Sequence, residues 1–415
     1  MKATGFIRPA RWMKHPATRR VMAALNHGEW QARFVGGCVR DALAGRPVTD
    51  IDIATTAPPE EGCRLLEAAG IHVIPTGLKH GTITAVLEGE NFEITTLRHD
   101  VETYGRHARV AFTDDWKPDA ARRDFTINAM FCDEDGTLYD PFGGLADLAA
   151  GRVRFVGSAR QRIHEDVLRL LRYFRFTAHY GHLPADGEAL AACREMAHQL
   201  PRLSGERVRK EILRLLEAPD PLPVWRLMLA EGVLLPLLPD AINVQALENL
   251  VALEKALGRC DPLLRLAALL PQDEEKMAAV AGRLRLSNEE SARLRRFSRH
   301  KGRRMASRWR QDFYDLTPEG TRDLFLLAAA RRIRPREALP VLRHIQRQTG
   351  TWKRPVFPLK GKDVMDLGLP SGPRIGRVLA RVEAWWRIRG FRPGRLACLV
   401  QLRQMVRGKT WKGKK

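Results

Sequence analysis

The stretch Thr49-Asp50-Ile51-Asp52-Ile53 constrains this chain more than any other. Isoleucines alternating with aspartates read as a strand, and residues two apart on a strand share a face. Asp50 and Asp52 then project together while Ile51 and Ile53 point the other way, into a core. Two carboxylates held that close repel each other unless a cation sits between them. Mg²⁺ accompanied by substrate phosphates is the natural occupant.

Just upstream, Phe34-Val35-Gly36-Gly37-Cys38-Val39-Arg40-Asp41 reads as strand, Gly-Gly turn and helix. That geometry lets backbone N–H groups approach phosphate oxygens with no Cβ in the way, and Arg40 adds charge. A Gly-Gly turn alone also serves merely to reverse a chain; the aspartates downstream are what sharpen it. Glu93, on the predicted strand Phe92–Leu97, is either a third metal ligand or simply an exposed strand residue. The chain has no G-x-x-x-x-G-K-[ST], which disfavours a P-loop nucleotidase.

Two further constellations follow. In Arg122-Arg123-Asp124-Phe125-Thr126-Ile127-Asn128-Ala129, two guanidiniums and an acid suit a triphosphate and a ribose hydroxyl. A helix start capped by Asp124 gives the same string. The segment Glu165–Phe176 reads as one helix, with Val167, Leu170, Leu171 and Phe174 as its buried stripe. Asp166, Arg169, Arg172 and Arg175 step by three along the opposite side. They form either a solvated face with an Asp–Arg pair or the wall of a phosphate site.

Residues 1–150 mix short strands (Arg33–Val35, Asp50–Ala54, His72–Ile74, Thr82–Leu87, Phe92–Leu97) with a helix opened by Pro58-Pro59-Glu60-Glu61 and closed by Gly70. From about residue 160 the strand signals give way to Leu- and Ala-rich helical patterns. A Pro/Gly-dense region, Pro355–Pro373, sets off a last helical piece. The expected architecture is an α/β head on a long all-helical body.

Seventy Lys+Arg against 48 Asp+Glu leave a formal charge of +22. Such an excess points to a polyanionic partner, nucleic acid before an anionic membrane surface. The densest basic run, Arg293–Arg310, carries Arg295, Arg296, Arg299, Lys301, Arg303 and Arg304 with Phe297 and Trp309 among them. It suits an RNA backbone, and it also suits a helix showing one charged face; the terminal RGKTWKGKK reads equally as a solvated end. The 6 cysteines lie far apart with no C-x-x-C pair, so neither a disulfide framework nor a zinc site is expected, and a reducing cytoplasm is the simplest compartment. The N-terminus lacks the apolar stretch of a secretory signal. No run of about eighteen apolar residues suggests a membrane span.

Taken in order, GGCVRD with D-I-D, RRDFTINAM and EDVLRLLRYFRF resemble the class II CCA-adding tRNA nucleotidyltransferase and bacterial poly(A) polymerase superfamily, most nearly its bacterial CCA-adding members. Leu203–Glu211 is similar to the family's next helical motif, and Gly361-Lys362-Asp363 with Leu367–Leu379 to the tail of many bacterial members. The resemblance implies a polymerase-β-like nucleotidyltransferase head (1–150), then an all-α neck (151–218), body (219–350) and tail (351–415). It makes Asp50 and Asp52 the metal ligands; Glu93, read from its own strand, stays a catalytic candidate beside them. It places Gly36, Gly37, Arg40 and Arg123 at the nucleotide and Asp124 near its ribose. Asp166, Arg169, Arg172 and Arg175 would read and hold ATP or CTP. Mg²⁺ is the implied cofactor and the tRNA acceptor end the implied partner; no membrane or protein partner is expected.

Two departures qualify the match. His99-Asp100 is only a dipeptide, with no appended metal phosphohydrolase domain. The stretch after Leu97 lacks a poly(A) polymerase insertion and resembles the flexible loop (Arg98–Trp116) of CCA-adding members. Poly(A) addition, partial CC- or A-only addition, and non-catalytic RNA binding stand as alternatives, the last opposed by the intact carboxylate pair.

Overall fold

The computed structural model describes residues 1–104, 107–299, 309–332 and 335–407. The chain divides into two compact units, Met1–Ile242 with Ala279–Leu286, and Asn243–Ala278 with Ser287–Lys415.

The first unit is built on strands β1 (Gly5–Phe6), β2 (Ala32–Val35), β3 (Ile51–Thr55), β4 (His72–Gly77), β5 (Thr82–Leu87), β6 (Glu90–Thr96), β7 (Arg98–Tyr104), β8 (His107–Phe112), β9 (Phe131–Cys132) and β10 (Thr137–Tyr139). Eight of them form one mixed sheet in the order β1-β10-β9-β2-β3-β6-β5-β4. Within it β3 and β6 run parallel, with Asp52 opposite Glu93; the other pairs are antiparallel. The helices of this unit begin with α1 (Pro16–Leu25), α2 (Gly37–Leu43), α3 (Pro59–Ala68), α4 (Trp116–Ala121), α5 (Gly144–Ala149), α6 (Ala159–Glu165), α7 (Leu168–Tyr180), α8 (Gly187–Met196) and α9 (Gly205–Leu216).

The period-two pattern does what the sequence demands. Ile51, Ile53, Ile83, Ala85, Phe92 and Ile94 enter one core with Val21 and Met22 of α1 and Leu66 of α3. On the other side of the sheet, Val35 and Ala54 are covered by Trp116 and Ala120 of α4, with Phe131 and Val156. That second core stops at Ala54 and leaves Asp52 free of it. Helix α3 carries Pro59 at its start, Glu60 and Glu61 in its first turn, and positive-φ Gly70 just beyond its end.

Three expectations need correcting. Arg98–Trp116 is not a loop: β7 and β8 pair as an antiparallel two-stranded hairpin, and Trp116 starts α4. Glu165–Phe176 is not one helix: the backbone is extended at Asp166, which ends α6 before α7 begins. Leu168 (8% exposed), not half-buried Val167, joins Leu170, Leu171 and Phe174 in the buried stripe.

The second unit is helical among its described residues. Arg293 is held by Asp261 and Asp323, and Arg265 donates to Glu254 at 2.6 Å with both side chains buried. Phe297, one of the two aromatics of the basic run, is a core residue at 2% exposed. The other, Trp309, packs edge-on against Phe313, His344 and Trp352. Neither aromatic is free to stack on a base. Arg295 is exposed and Arg296 half-buried. For Arg299 only the backbone is described, and Lys301, Arg303 and Arg304 lie outside the described residues.

Candidate active site

A cleft with a volume of about 530 Å³ opens in the first unit, and every nucleotide-binding and metal residue expected from the sequence lines it: Gly36, Gly37, Arg40, Asp50, Asp52, Arg123, Asp124, Asp166, Arg169, Arg172 and Arg175. Glu93 stands outside the lining, next to Asp52 on the neighbouring strand. The cleft carries eight arginines against five aspartates, an excess that suits a polyanionic ligand.

The Gly-Gly turn lines the cleft. Gly36 has φ 72 and ψ −119 and caps α2, a region that essentially only glycine enters. A Cβ there would come within 3.4 Å of Arg123 Nη1, whereas one at Gly37 would meet Arg40 and Asp52 at 3.8 and 3.9 Å, ordinary contact. The two glycines should therefore separate on substitution. Gly36→Ala is expected to lose about 1–3 kcal/mol of stability through backbone strain. Gly37→Ala should melt near the parent temperature and instead weaken CTP binding, because its Cβ occupies ligand space. Equal melting shifts for the two variants would contradict this division.

Asp52 carries the clearest electrostatic signature. Burial first, then Glu93 and Asp50, push its carboxyl up from its usual value of 3.8 to about 6, against the pull of Arg123 and Arg40. A carboxylate crowded by two others and partly buried is charged at a cost that a cation relieves. The thiol of Cys38, pushed up to about 12 mainly by burial, is an inert packing group that donates to the carbonyls of Val35 and Asp52.

The arginines are pre-set by partners at their rear. Asp119, 1% exposed, accepts from Arg122 Nε at 2.8 Å and Arg123 Nη2 at 2.9 Å. Arg40 donates to Asn128 Oδ1 at 2.6 Å and to Asp41, and lies over the Tyr180 ring at 4.3 Å. Arg175 donates to Glu211 at 2.6 Å. Asp124 accepts from the Phe125 backbone N–H, from the Asn128 side-chain amide Nδ2 and from Arg172 Nε at 2.6 Å. Burial raises its carboxyl, but Arg172 and Asn128 more than offset this and hold it below the usual range. Asp124 thus serves as the anchor of Arg172.

The face formed by Arg169, Arg172 and Arg175 is half-buried and borders the cleft, so it is not a solvated stripe. Asp166 and Arg169 are not paired with each other. Asp166 accepts from the Leu168 N–H at 3.1 Å and from Arg207 at 2.6 Å, while Arg169 donates to Glu165 at 2.5 Å. Sequence reasoning missed Asn128, Arg207 and Arg214 as lining residues. Arg207 and Arg214 sit seven apart on α9; Arg207 falls within the Leu203–Glu211 motif, and Arg214 lies three residues beyond it.

Comparison with known proteins agrees with this construction. Residues 32–154 match the poly A polymerase head domain, and residues 186–244 match a probable RNA and SrmB-binding site of polymerase A. The mitochondrial CCA tRNA nucleotidyltransferase 1 of Danio rerio is 39% identical over 374 residues, covering 86% of this chain and 84% of that protein. The CCA-adding enzyme of Bacillus licheniformis is 45% identical over 193 residues, covering 46% and 47%. The crystal structure of the Bacillus stearothermophilus CCA-adding enzyme in complex with CTP superposes with a TM-score of 0.79 at 27% identity, covering 95% of this chain and 98% of that one. With a relative this similar along most of its length, the chain belongs to the CCA tRNA nucleotidyltransferase family.

Proposed function

We propose that this protein adds C, C and A to the 3′ end of tRNA from CTP and ATP without a nucleic-acid template, releasing pyrophosphate. The observation that carries the reading is that one cleft is lined together by a carboxylate pair, by arginines held by partners, and by Asp166 with Arg169. The names of the relatives support the choice of tRNA and of C and A.

The donor set fits Mg²⁺. Asp50 and Asp52 present hard carboxylate oxygens, and the Asp52 carboxyl, raised first by burial and then by Glu93 and Asp50, is charged at a cost that a cation relieves. Asp50 and Asp52 would hold it, with Glu93 as the adjacent third carboxylate. When bound, the metal supplies charge stabilisation at the α-phosphate and acidifies the attacking hydroxyl. The protein's own groups do the rest. Arg40 and Arg123, fixed by Asn128 and Asp119, bind and orient the triphosphate and stabilise charge developing on the leaving pyrophosphate. Arg172 and Arg175 keep the nucleotide against that wall, and the Gly36-Gly37 turn lets it approach the backbone. Residues 1–150 would carry catalysis, 151–218 nucleotide selection, and 219–350 with 351–415 RNA binding. All six cysteines are free, which suits a reducing aqueous compartment such as the cytoplasm.

The direct test incubates the protein with tRNA ending before each of the three terminal nucleotides, supplying labelled CTP, ATP or both. Stepwise completion that stops at CCA is expected. Unlimited A addition would make it a poly(A) polymerase, stopping early a partial enzyme, and no incorporation a binding protein.

The charge of +22 makes a second expectation. With six or more phosphates contacted, tRNA affinity should fall by about 10³-fold or more between about 50 and 200 mM salt. Arg295→Glu with Arg296→Glu should weaken binding and flatten that slope. Unchanged affinity and slope would make this helix a solvated face.

A further inference from the structure

Arg40, Arg172 and Arg175 line one cleft, and like charges held that close repel each other. Each has a carboxylate partner, Asp41, Asp124 and Glu211 respectively, but the three acids belong to three different segments: α2, the stretch before Phe125, and α9. Burial first, with the Arg172 and Arg214 charges, lowers the Arg175 guanidinium below its ordinary value, against the pull of Glu211. What the three arginines share is a ring. Arg175 lies 4.2 Å, Arg40 5.0 Å and Arg172 5.3 Å from the centroid of Phe176, which also lines the cleft.

The spacing along α7 brings this about. Residues four apart share a helix face, so Arg172, Phe176 and Tyr180 follow one another along α7. Arg40 of α2 reaches both rings, at 5.0 Å from Phe176 and 4.3 Å from Tyr180. Phe176 has little freedom: it is 3% exposed, its ring edge-on to buried Phe125 at 5.2 Å and 6.0 Å from the Tyr180 ring. An aromatic face attracts guanidiniums and carries no net charge. A carboxylate in its place would gather the arginines too, but would repel a triphosphate. The ring also uses up none of their N–H donors. Among the described residues Arg172 Nη1 and both Nη groups of Arg175 have no protein acceptor, which leaves them for phosphate oxygens.

We propose that Phe176 is a positioning residue for nucleotide transfer: it acts through Arg40, Arg172 and Arg175, gathering them into one phosphate-facing set without neutralising it. This rests on the nucleotide-transferring reading above and adds what holds the cationic wall together before a nucleotide arrives. Arginines already gathered need not be ordered by the ligand, so less of the binding energy is lost to entropy. A plain core phenylalanine, filling space beside Phe125, would have a different signature: only its volume would matter.

Ring electronics and ring volume are separable in the whole protein. Phenylalanine analogues bearing one, two and three fluorines, placed at position 176 alone, nearly keep the shape and weaken the negative face in steps. KM for CTP is expected to rise at each step, to about fivefold with three fluorines, and about tenfold in Phe176→Leu. Most of the change should lie in KM rather than kcat, with KM for truncated tRNA within about twofold of the parent value. A KM for CTP that stays flat or falls across the fluorinated series would overturn the positioning role, whatever Phe176→Leu does. So would an equal rise in KM for tRNA. Absence of CTP incorporation by the unmodified protein would instead overturn the reading on which it rests, and CTP dissociation constants across the same series would then decide the role of the ring.

Discussion

Asp50→Ala and Asp52→Ala are each expected to reduce CTP incorporation by about 10³-fold or more, some 4 kcal/mol of transition-state stabilisation, while tRNA binding stays near the parent value. The second half of the prediction concerns stability and has the opposite sign. The Asp52 carboxyl is raised from 3.8 to about 6 in the folded protein, chiefly by burial. Between those values the folded state holds more proton than the unfolded chain, so stability falls as pH rises through that window. Above about pH 6 the full penalty is present, on the order of 3 kcal/mol for a shift of about two units. Asp52→Asn, measured in chelator at pH 7.5, should therefore melt higher than the parent, and the gap should close below about pH 4. Near-parent turnover in either alanine variant would remove the metal assignment. An Asp52→Asn protein that melts no higher would remove the electrostatic account of the carboxylate cluster.

What the sequence made legible was what local pattern encodes. Ile51 and Ile53 point into the core and Asp52 out of it because a strand has period two, and no tertiary information is needed to say so. The Gly36-Gly37 turn and the helix after it were equally local. The parts that escaped have different physical causes. Strands β1, β9 and β10 are only 2, 2 and 3 residues long, too short for an alternation to show. In the β7–β8 hairpin, β7 (RHDVETY) is mostly charged or polar and shows no apolar face, and the alternation of Ala108, Val110 and Phe112 in β8 is a short signal that was passed over. The break at Asp166 was hidden because helical periodicity is strong on both sides of it. Its signal was the aspartate itself, whose side chain accepts from the Leu168 N–H two residues on and offers the backbone an alternative to helix. Arg207 escaped for another reason: its bond to Asp166 spans 41 residues, and no local pattern encodes that partnership.

That partnership bears on how C and A would be chosen. Cytosine and adenine each place an exocyclic amine donor beside a ring-nitrogen acceptor on the pairing edge; uracil and guanine place a carbonyl acceptor beside a ring N–H donor. A carboxylate only accepts and a guanidinium only donates, so Asp166 and Arg169 together match C and A and mismatch U and G at both contacts. An exposed Asp–Arg pair of little consequence would be the simpler account of these two residues. The structure removes it, because each has a different partner, Arg207 for Asp166 and Glu165 for Arg169, and both border the cleft. Held from behind in this way, neither side chain has to be ordered when the base arrives, and less of the recognition energy is lost to entropy. Two unmatched polar groups in a closed site, at about 1–3 kcal/mol each, give discrimination on the order of hundreds-fold. Asp166→Ala and Arg169→Ala should each lose most of that preference, measured as incorporation of all four ribonucleotides on truncated tRNA. Arg207→Ala should lose part of it, since Asp166 keeps its backbone bond. Preference for C and A left intact in both Asp166→Ala and Arg169→Ala would mean that base choice is made elsewhere in the cleft.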